Sequence, residues 1–175
     1  SNVAERSIII DDYISYLIKQ TYVRYRDLPE IYRVIRFFDY LSVKSSYVTN
    51  LDIPQLSKLP YEIRKVLICH SGSEMLEQIP DLRLLLNDII IYPPTIYDFF
   101  LFYCSIIPLT KSERTNIKFL CLMLLHNINI YKYSSSMIAL SLIDIVMSSR
   151  NNYDNRVIYL ILDEYCCRAS NIYKN

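Results

Sequence analysis

The stretch Ile117-Lys118-Phe119-Leu120-Cys121-Leu122-Met123-Leu124-Leu125 decides the fold class. Apart from Lys118 it is apolar at every position, so a helix built from it presents hydrophobic side chains nearly all round. A helix without a polar face has to be surrounded by protein. Its longest unbroken apolar run, Phe119 to Leu125, is far too short to cross a bilayer. The expectation is an all-α domain of residues 1–175, a bundle in which 117–125 is the central helix and amphipathic helices wrap it.

Working outward, helical periodicity continues on both sides. Thr110 or Ser112 opens the central helix, with Glu113 completing a capping box on Thr110. Downstream, a helix near Ser135 to Ser148 buries Ile138, Leu142, Ile145 and Val146. A last one near Asp154 to Cys167 buries Val157, Leu160, Ile161 and Tyr165. Upstream, Pro93-Pro94 is a stop, Thr95 with Asp98 marks a new N-terminus, and Ile96, Phe99, Phe100, Phe102 and Tyr103 follow, ending near Pro108. The first helix runs from about Ser7 to Val23 with Ile10, Tyr13, Ile14, Leu17 and Ile18 on one face. The second starts at Asp27, where Glu30 completes a capping box and Pro29 is tolerated in a first turn. Its inner stripe is Ile31, Val34, Ile35, Phe38 and Leu41. The pattern weakens from Ser42 to Asp52. Pro54 and Pro60 restrict the next region to short segments, with Ile63, Val66 and Leu67 inward. Ser71 with Glu74 starts a short turn holding Met75 and Leu76, and Pro80 precedes Leu82, Leu85, Leu86 and Ile89. No repeat, linker or domain boundary is evident.

Composition narrows the function classes. A single glycine, Gly72, leaves no glycine-rich phosphate loop and few of the positive-φ turns that β-rich folds need. The net charge of +1 gives no long-range field for nucleic acid, and Arg24, Arg26, Arg33 and Arg36 read as a solvated face. Five cysteines, an odd number, argue against a closed disulfide framework and for buried, reduced thiols. The striped Ser7 to Ile18 carries Asp11 and Asp12, unlike a signal peptide. The chain is rich in Ile, Asn and its 17 tyrosines, residues with AT-rich codons, which hints at origin rather than chemistry.

Chemistry is sparse. His70 and His126 stand alone, and no C-x-x-C or H-x-x-x-H spacing exists, so neither a metal site nor a cofactor is expected. Cys69-His70 is a nucleophile–base pair in composition only, since neighbours on a helix point about 100° apart. Asp11-Asp12 and Asp163-Glu164 diverge likewise and do not resemble the facing carboxylates of a hydrolase. No enzyme is expected. Tyrosines off the core stripes (Tyr16, Tyr22, Tyr25, Tyr32, Tyr47) fit either an interface or the rim of the core.

A central apolar helix wrapped by amphipathic ones resembles the Bcl-2 fold, and the local sequence is similar to the poxvirus Bcl-2-like proteins. Ile9-Ile10-Asp11-Asp12-Tyr13-Ile14 resembles that family's first helix. Ile31 to Asp39 resembles its second, and Asn116 to Ile130, Met137 to Met147 and Arg156 to Arg168 match its later helices by order and spacing. The Asn-Trp-Gly-Arg signature of the death-regulating members is missing, because the chain has no Trp and Gly72 precedes Ser73. The resemblance therefore implies an inhibitor of innate immune signalling in the host cytoplasm, binding kinases or adaptors that lead to NF-κB or interferon-regulatory-factor activation. A binder of pro-apoptotic BH3 helices is the alternative. It also implies a homodimer face from the first and sixth helices, drawn here from Tyr16, Gln20 and Arg24 with Ser141, Asp144 and Ser148.

A second resemblance points elsewhere. Ile10 to Ile18 followed by Glu30 to Leu41 looks like the first two helices of a cyclin box, and Pro94-Thr95 with Asp98-Phe99 resembles the start of a second box. That implies a regulatory subunit of a protein kinase. The segment between is about one helix short, and Cys69 to Glu74 offers no counterpart to the lysine of the cyclin Ala-x-Lys-x-Glu-Glu motif.

Overall fold

Side-chain caps set several of the helix starts in the computed structural model, which describes residues 3–21, 28–90 and 94–164, without the side chains of Ile18, Gln20, Thr21, Ile89 and Ile90. All regular structure among these residues is helical. The helices are α1 (Val3–Thr21), α2 (Leu28–Lys44), α3 (Ser46–Thr49), α4 (Ile53–Leu67), α5 (Glu74–Glu77), α6 (Leu82–Ile90), α7 (Ile96–Cys104), α8 (Lys111–Leu124) and α9 (Ser135–Met147), with a 3-10 turn at Ile128–Lys132. A tenth, α10, covers 156–164. The chain divides into two compact units: Ser1–Pro93 with Leu125–Ile128, and Pro94–Leu124 with Asn129–Asn175.

In the first unit α4 packs against both α1 and α2. The expected stripe of α2 is buried in full, and Leu28, Tyr32 and Phe37 join it. Its buried positions therefore wrap well over half its circumference, and α2 is the most enclosed helix of this unit. The expected stripe of α1 is buried from Ile10 to Leu17, with Ile9 added. The helix begins four residues before Ser7, at Val3. Asp27 and Val23 lie outside the described residues.

Two local expectations fail here for physical reasons. Pro60 does not divide its region; it sits inside the single helix α4. A proline there removes one i→i−4 bond, but Pro60 is itself buried beside Leu56, Leu59 and Ile63, and apolar burial on that face offsets the loss. At the start of α4, Asp52 and Gln55 form a reciprocal capping box and Pro54 occupies the first turn, where its missing N–H costs nothing. The cap of α5 is Ser73, not Ser71: the Ser73 hydroxyl accepts from the Leu76 amide at 3.2 Å.

In the second unit α9 packs against both α7 and α8, most extensively against α7. The two capping boxes expected here are present. Asp98 Oδ2 accepts from the Thr95 amide at 2.8 Å and Thr95 Oγ1 from the Asp98 amide at 3.2 Å. Thr110 and Glu113 do the same at 2.8 and 3.1 Å. The expected central helix needs correction. Ile117, Cys121 and Leu122 are buried, but Phe119 is 54% and Met123 48% exposed. Two packed neighbours, α7 and α9, cover one arc of α8 and leave the Phe119–Met123 side in solvent, whatever its hydrophobicity. The same geometry exposes Ile145 (60%) on α9, while Ala139, Leu140 and Ile143 go inward. On α10 the buried residue is Ile158 rather than Val157 or Leu160, a rotation of the expected face. Tyr165 falls outside the described residues.

A bidentate ion pair locks this unit. Arg150 Nε donates to Glu113 Oε2 at 2.6 Å, Nη2 donates to Glu113 Oε1, and Nη2 also reaches the Pro108 carbonyl at 3.0 Å. The Arg150 hydrogen bonds, with those from Thr110, hold the buried Glu113 carboxyl down at about 2, against an ordinary 4.5.

Two measurements test these assignments. In urea titrations Ile117→Ala should cost roughly 2–5 kcal/mol, as a fully buried truncation does, whereas Phe119→Ala should stay within about 0.5 kcal/mol as an exposed position does; equal costs contradict the partial burial of α8. Glu113 binds no proton in the folded chain until well below the unfolded value. Its contribution is therefore complete above pH 4.5 and is lost as pH falls from there toward 2. Thermal melts should show that acid-limb loss, and Glu113→Gln should flatten it; an unchanged slope refutes the pair's role.

Candidate interaction surface

Tyr16 sits on the outward side of α1, 45% exposed, and is held by a tyrosine cluster. The Tyr61 ring of α4 meets Tyr16 edge-on at 5.1 Å and Tyr13 edge-on at 5.1 Å. Tyr13 is fully buried, and that burial pushes its phenol far above the ordinary range. Tyr61 is raised by desolvation and then by the charge of Asp12. Tyr16 thus caps an aromatic seam between α1 and α4 and presents one ring edge to solvent. Gln20 belongs to α1 but its side chain is outside the described set, as are Arg24, Tyr22 and Tyr25. Tyr32 is core, not surface. Tyr47 is half-buried and donates to Gln78 Oε1 at 3.2 Å.

The other three expected residues are on the second unit. Ser141 is exposed and its hydroxyl donates back to the Met137 carbonyl at 2.8 Å. Ser148 is the C-cap of α9 and donates to the Ile145 carbonyl. Asp144 accepts from the Tyr153 hydroxyl at 2.6 Å, and burial together with that bond raises the Tyr153 phenol. Ser141 and Ser148 therefore share one α9 stripe with two exposed apolar residues, Met137 and Ile145. Periodicity alone missed that stripe because it assigned Ile145 to the core.

A charged groove on the first unit was not foreseen. Lys58, Glu62 and Lys65 of α4 and residues Gly72 to Met75 around the start of α5 line an open cleft of about 350 Å³. Glu62 accepts from Lys65 Nζ at 2.7 Å and from the buried Ser73 hydroxyl at 2.6 Å. Those two hydrogen bonds hold its carboxyl below the usual range. The result is an edge of mixed charge, fixed in place by the α5 cap.

The chemistry-bearing residues do not converge. Among the described residues no three His, Cys, Asp or Glu side chains come together as metal ligands. His126 Nε2 lies 3.3 Å from Asp11 Oδ1, a two-residue contact. Cys69 and His70 are both exposed beyond the end of α4, where His70 takes a positive φ of 52° and Arg64 Nη1 lies 3.7 Å from Cys69 Sγ. Cys69, Cys104 and Cys121 are free thiols; Cys121 is buried as expected, whereas Cys69 is exposed at the helix end. Cys166 and Cys167 lie outside the described residues. No described helix is long and apolar enough to cross a membrane. No protein-family model, curated protein or solved structure matches the chain.

Proposed function

We propose that this protein is a non-enzymatic regulatory module of cyclin-like type, which binds a protein kinase through helical surfaces. The observation that carries this reading is the division of the chain into two all-helical units that change over at Pro93–Pro94, with Leu125–Ile128 returning to the first. That is where the sequence resembles the start of a second cyclin box, and α7 begins there on the Thr95–Asp98 capping box. The segments resembling a first box, in α1 and α2, lie in the other unit, where both pack on α4. The lysine of the cyclin motif is absent from Cys69 to Glu74. That departure counts against the reading; the charge nearest to it is the α4–α5 edge, where Lys58 and Lys65 line one cleft with Glu62 and Glu74.

The alternative, a Bcl-2-like inhibitor of innate immune signalling or of BH3 helices, keeps the support of the α1 and α2 resemblance. It loses the fully enclosed helix that first suggested it, because Phe119 and Met123 are open to solvent.

The test is direct binding. Purified chain mixed with the catalytic subunit of a cyclin-dependent-class kinase should co-elute on gel filtration and raise peptide phosphorylation at least tenfold. Lys65→Glu should weaken that complex about tenfold while leaving the circular dichroism spectrum intact. Retention of signalling adaptors, inhibitor-of-κB kinases or a BH3 peptide, with no effect on cyclin-dependent-class kinases, overturns the cyclin-like reading in favour of the viral one.

A further inference from the structure

We infer that α6 is a detachable strap on the first unit, hinged at Asp81 and fastened to α2 through the Tyr40–Asp88 hydrogen bond. Its sequence, Leu82-Arg83-Leu84-Leu85-Leu86-Asn87-Asp88-Ile89-Ile90, is among the most leucine-dense in the chain. Helices of that composition normally lie in a core. Yet Leu82, Leu85 and Leu86 are only half-buried and Leu84 is 64% exposed. By contrast, α2 buries eight side chains over seventeen residues.

Among the described side chains, α6 is tied to α2 by a polar, solvent-facing contact. The Tyr40 hydroxyl donates to Asp88 Oδ2, and the Tyr40 ring stacks at 6.3 Å on the fully buried Phe37, so the fastening is anchored in the α2 core at one end. At the other end, Pro80 precedes Asp81, whose φ of 60° puts a non-glycine residue in the left-handed region. The strap thus starts at a sharp backbone turn, where a change of a few dihedrals can redirect it. Local opening is governed by how much apolar area and how many shielded hydrogen bonds are lost; none of the described side chains of α6 is buried. When α6 swings out, the covered parts of Leu82, Leu85 and Leu86 become available.

Limited trypsin digestion of the full chain reads this motion at Arg83, an exposed bond inside α6, against Lys58, an exposed bond inside the well-packed α4. Arg83 should be cut markedly faster than Lys58. Tyr40→Phe keeps the ring on Phe37 and removes only the hydroxyl, so it should speed the Arg83 cut about fivefold, the weight of one surface hydrogen bond, and leave Lys58 unchanged. Asp88→Asn should act in the same direction. Hydrogen exchange across 84–88 should rise by the same factor in Tyr40→Phe. The inference is overturned if Arg83 is as resistant as Lys58, if Tyr40→Phe has no effect, or if it accelerates both cuts equally, which signals global rather than local opening.

Discussion

A guanidinium buried to 4% exposure, that of Arg6, constrains the first unit more than any apolar contact does. Taking such a charge out of water costs several kcal/mol unless every donor finds an acceptor. Nε and Nη2 donate to the two Asp39 oxygens at 2.6 and 2.8 Å, while Nη2 and Nη1 reach the carbonyls of Leu125 and His126 at 3.1 and 3.3 Å. Those two carbonyls belong to the turn that follows α8, which ends at Leu124. The guanidinium thereby offsets its own desolvation and holds this turn. It can do so only when α1, α2 and residues 125–128 are all in place. Hydrophobic stripes on α1 and α2 tolerate rotation by a fraction of a turn; a fork matched to a carboxylate does not.

The second unit repeats the device with other residues. Arg150 grips the Glu113 carboxylate in two-pronged fashion and takes the Pro108 carbonyl with a third bond. In both units an arginine links a helix-borne carboxylate to backbone carbonyls at a chain turn. Glu113 carries the additional task of capping α8 through Thr110, so the start of that helix and its tie to the residues after α9 share one carboxylate. Coupling a cap to a tertiary ion pair ties local helix formation to packing, which narrows the set of compact alternatives.

How much of this was legible in the sequence follows from the range of the forces involved. Capping boxes at Thr95–Asp98 and Thr110–Glu113 could be read because donor and acceptor are three residues apart. The α2 stripe could be read because that helix is enclosed and its periodicity is not diluted. Arg6–Asp39 spans 33 residues and Arg6–His126 spans 120, and no local pattern encodes either. The misreadings share one cause. Hydrophobicity reports what a side chain would prefer, while exposure reports how many neighbours the topology supplies. Residues 117–125 are apolar enough for a central helix, yet α8 has packed partners on one arc only. Pro60 fails in the opposite sense: a breaker by local rules, it is carried by the burial of the α4 face it belongs to. The groove between Lys58 and Glu74 left no signal because its charges alternate and the α5 cap was assigned to Ser71, which hid the part played by the Ser73 hydroxyl.

The expected surface residues bear on recognition through what they have already spent. Ser141 and Ser148 donate back to α9, and Asp144 is held by Tyr153, so their polar atoms are committed within the unit before any partner arrives. What this face offers is contact area from Met137 and Ile145 beside small hydroxyls that let another backbone come close. The α4–α5 edge offers charge instead. Lys58 is exposed there, while the Lys65 ammonium and the Ser73 hydroxyl both bind Glu62. Apolar contact without directional bonds binds many helices about equally well, whereas a fixed pattern of charge discriminates among them. Discrimination among helical surfaces is therefore a property of the charged α4–α5 edge rather than of the apolar α9 stripe.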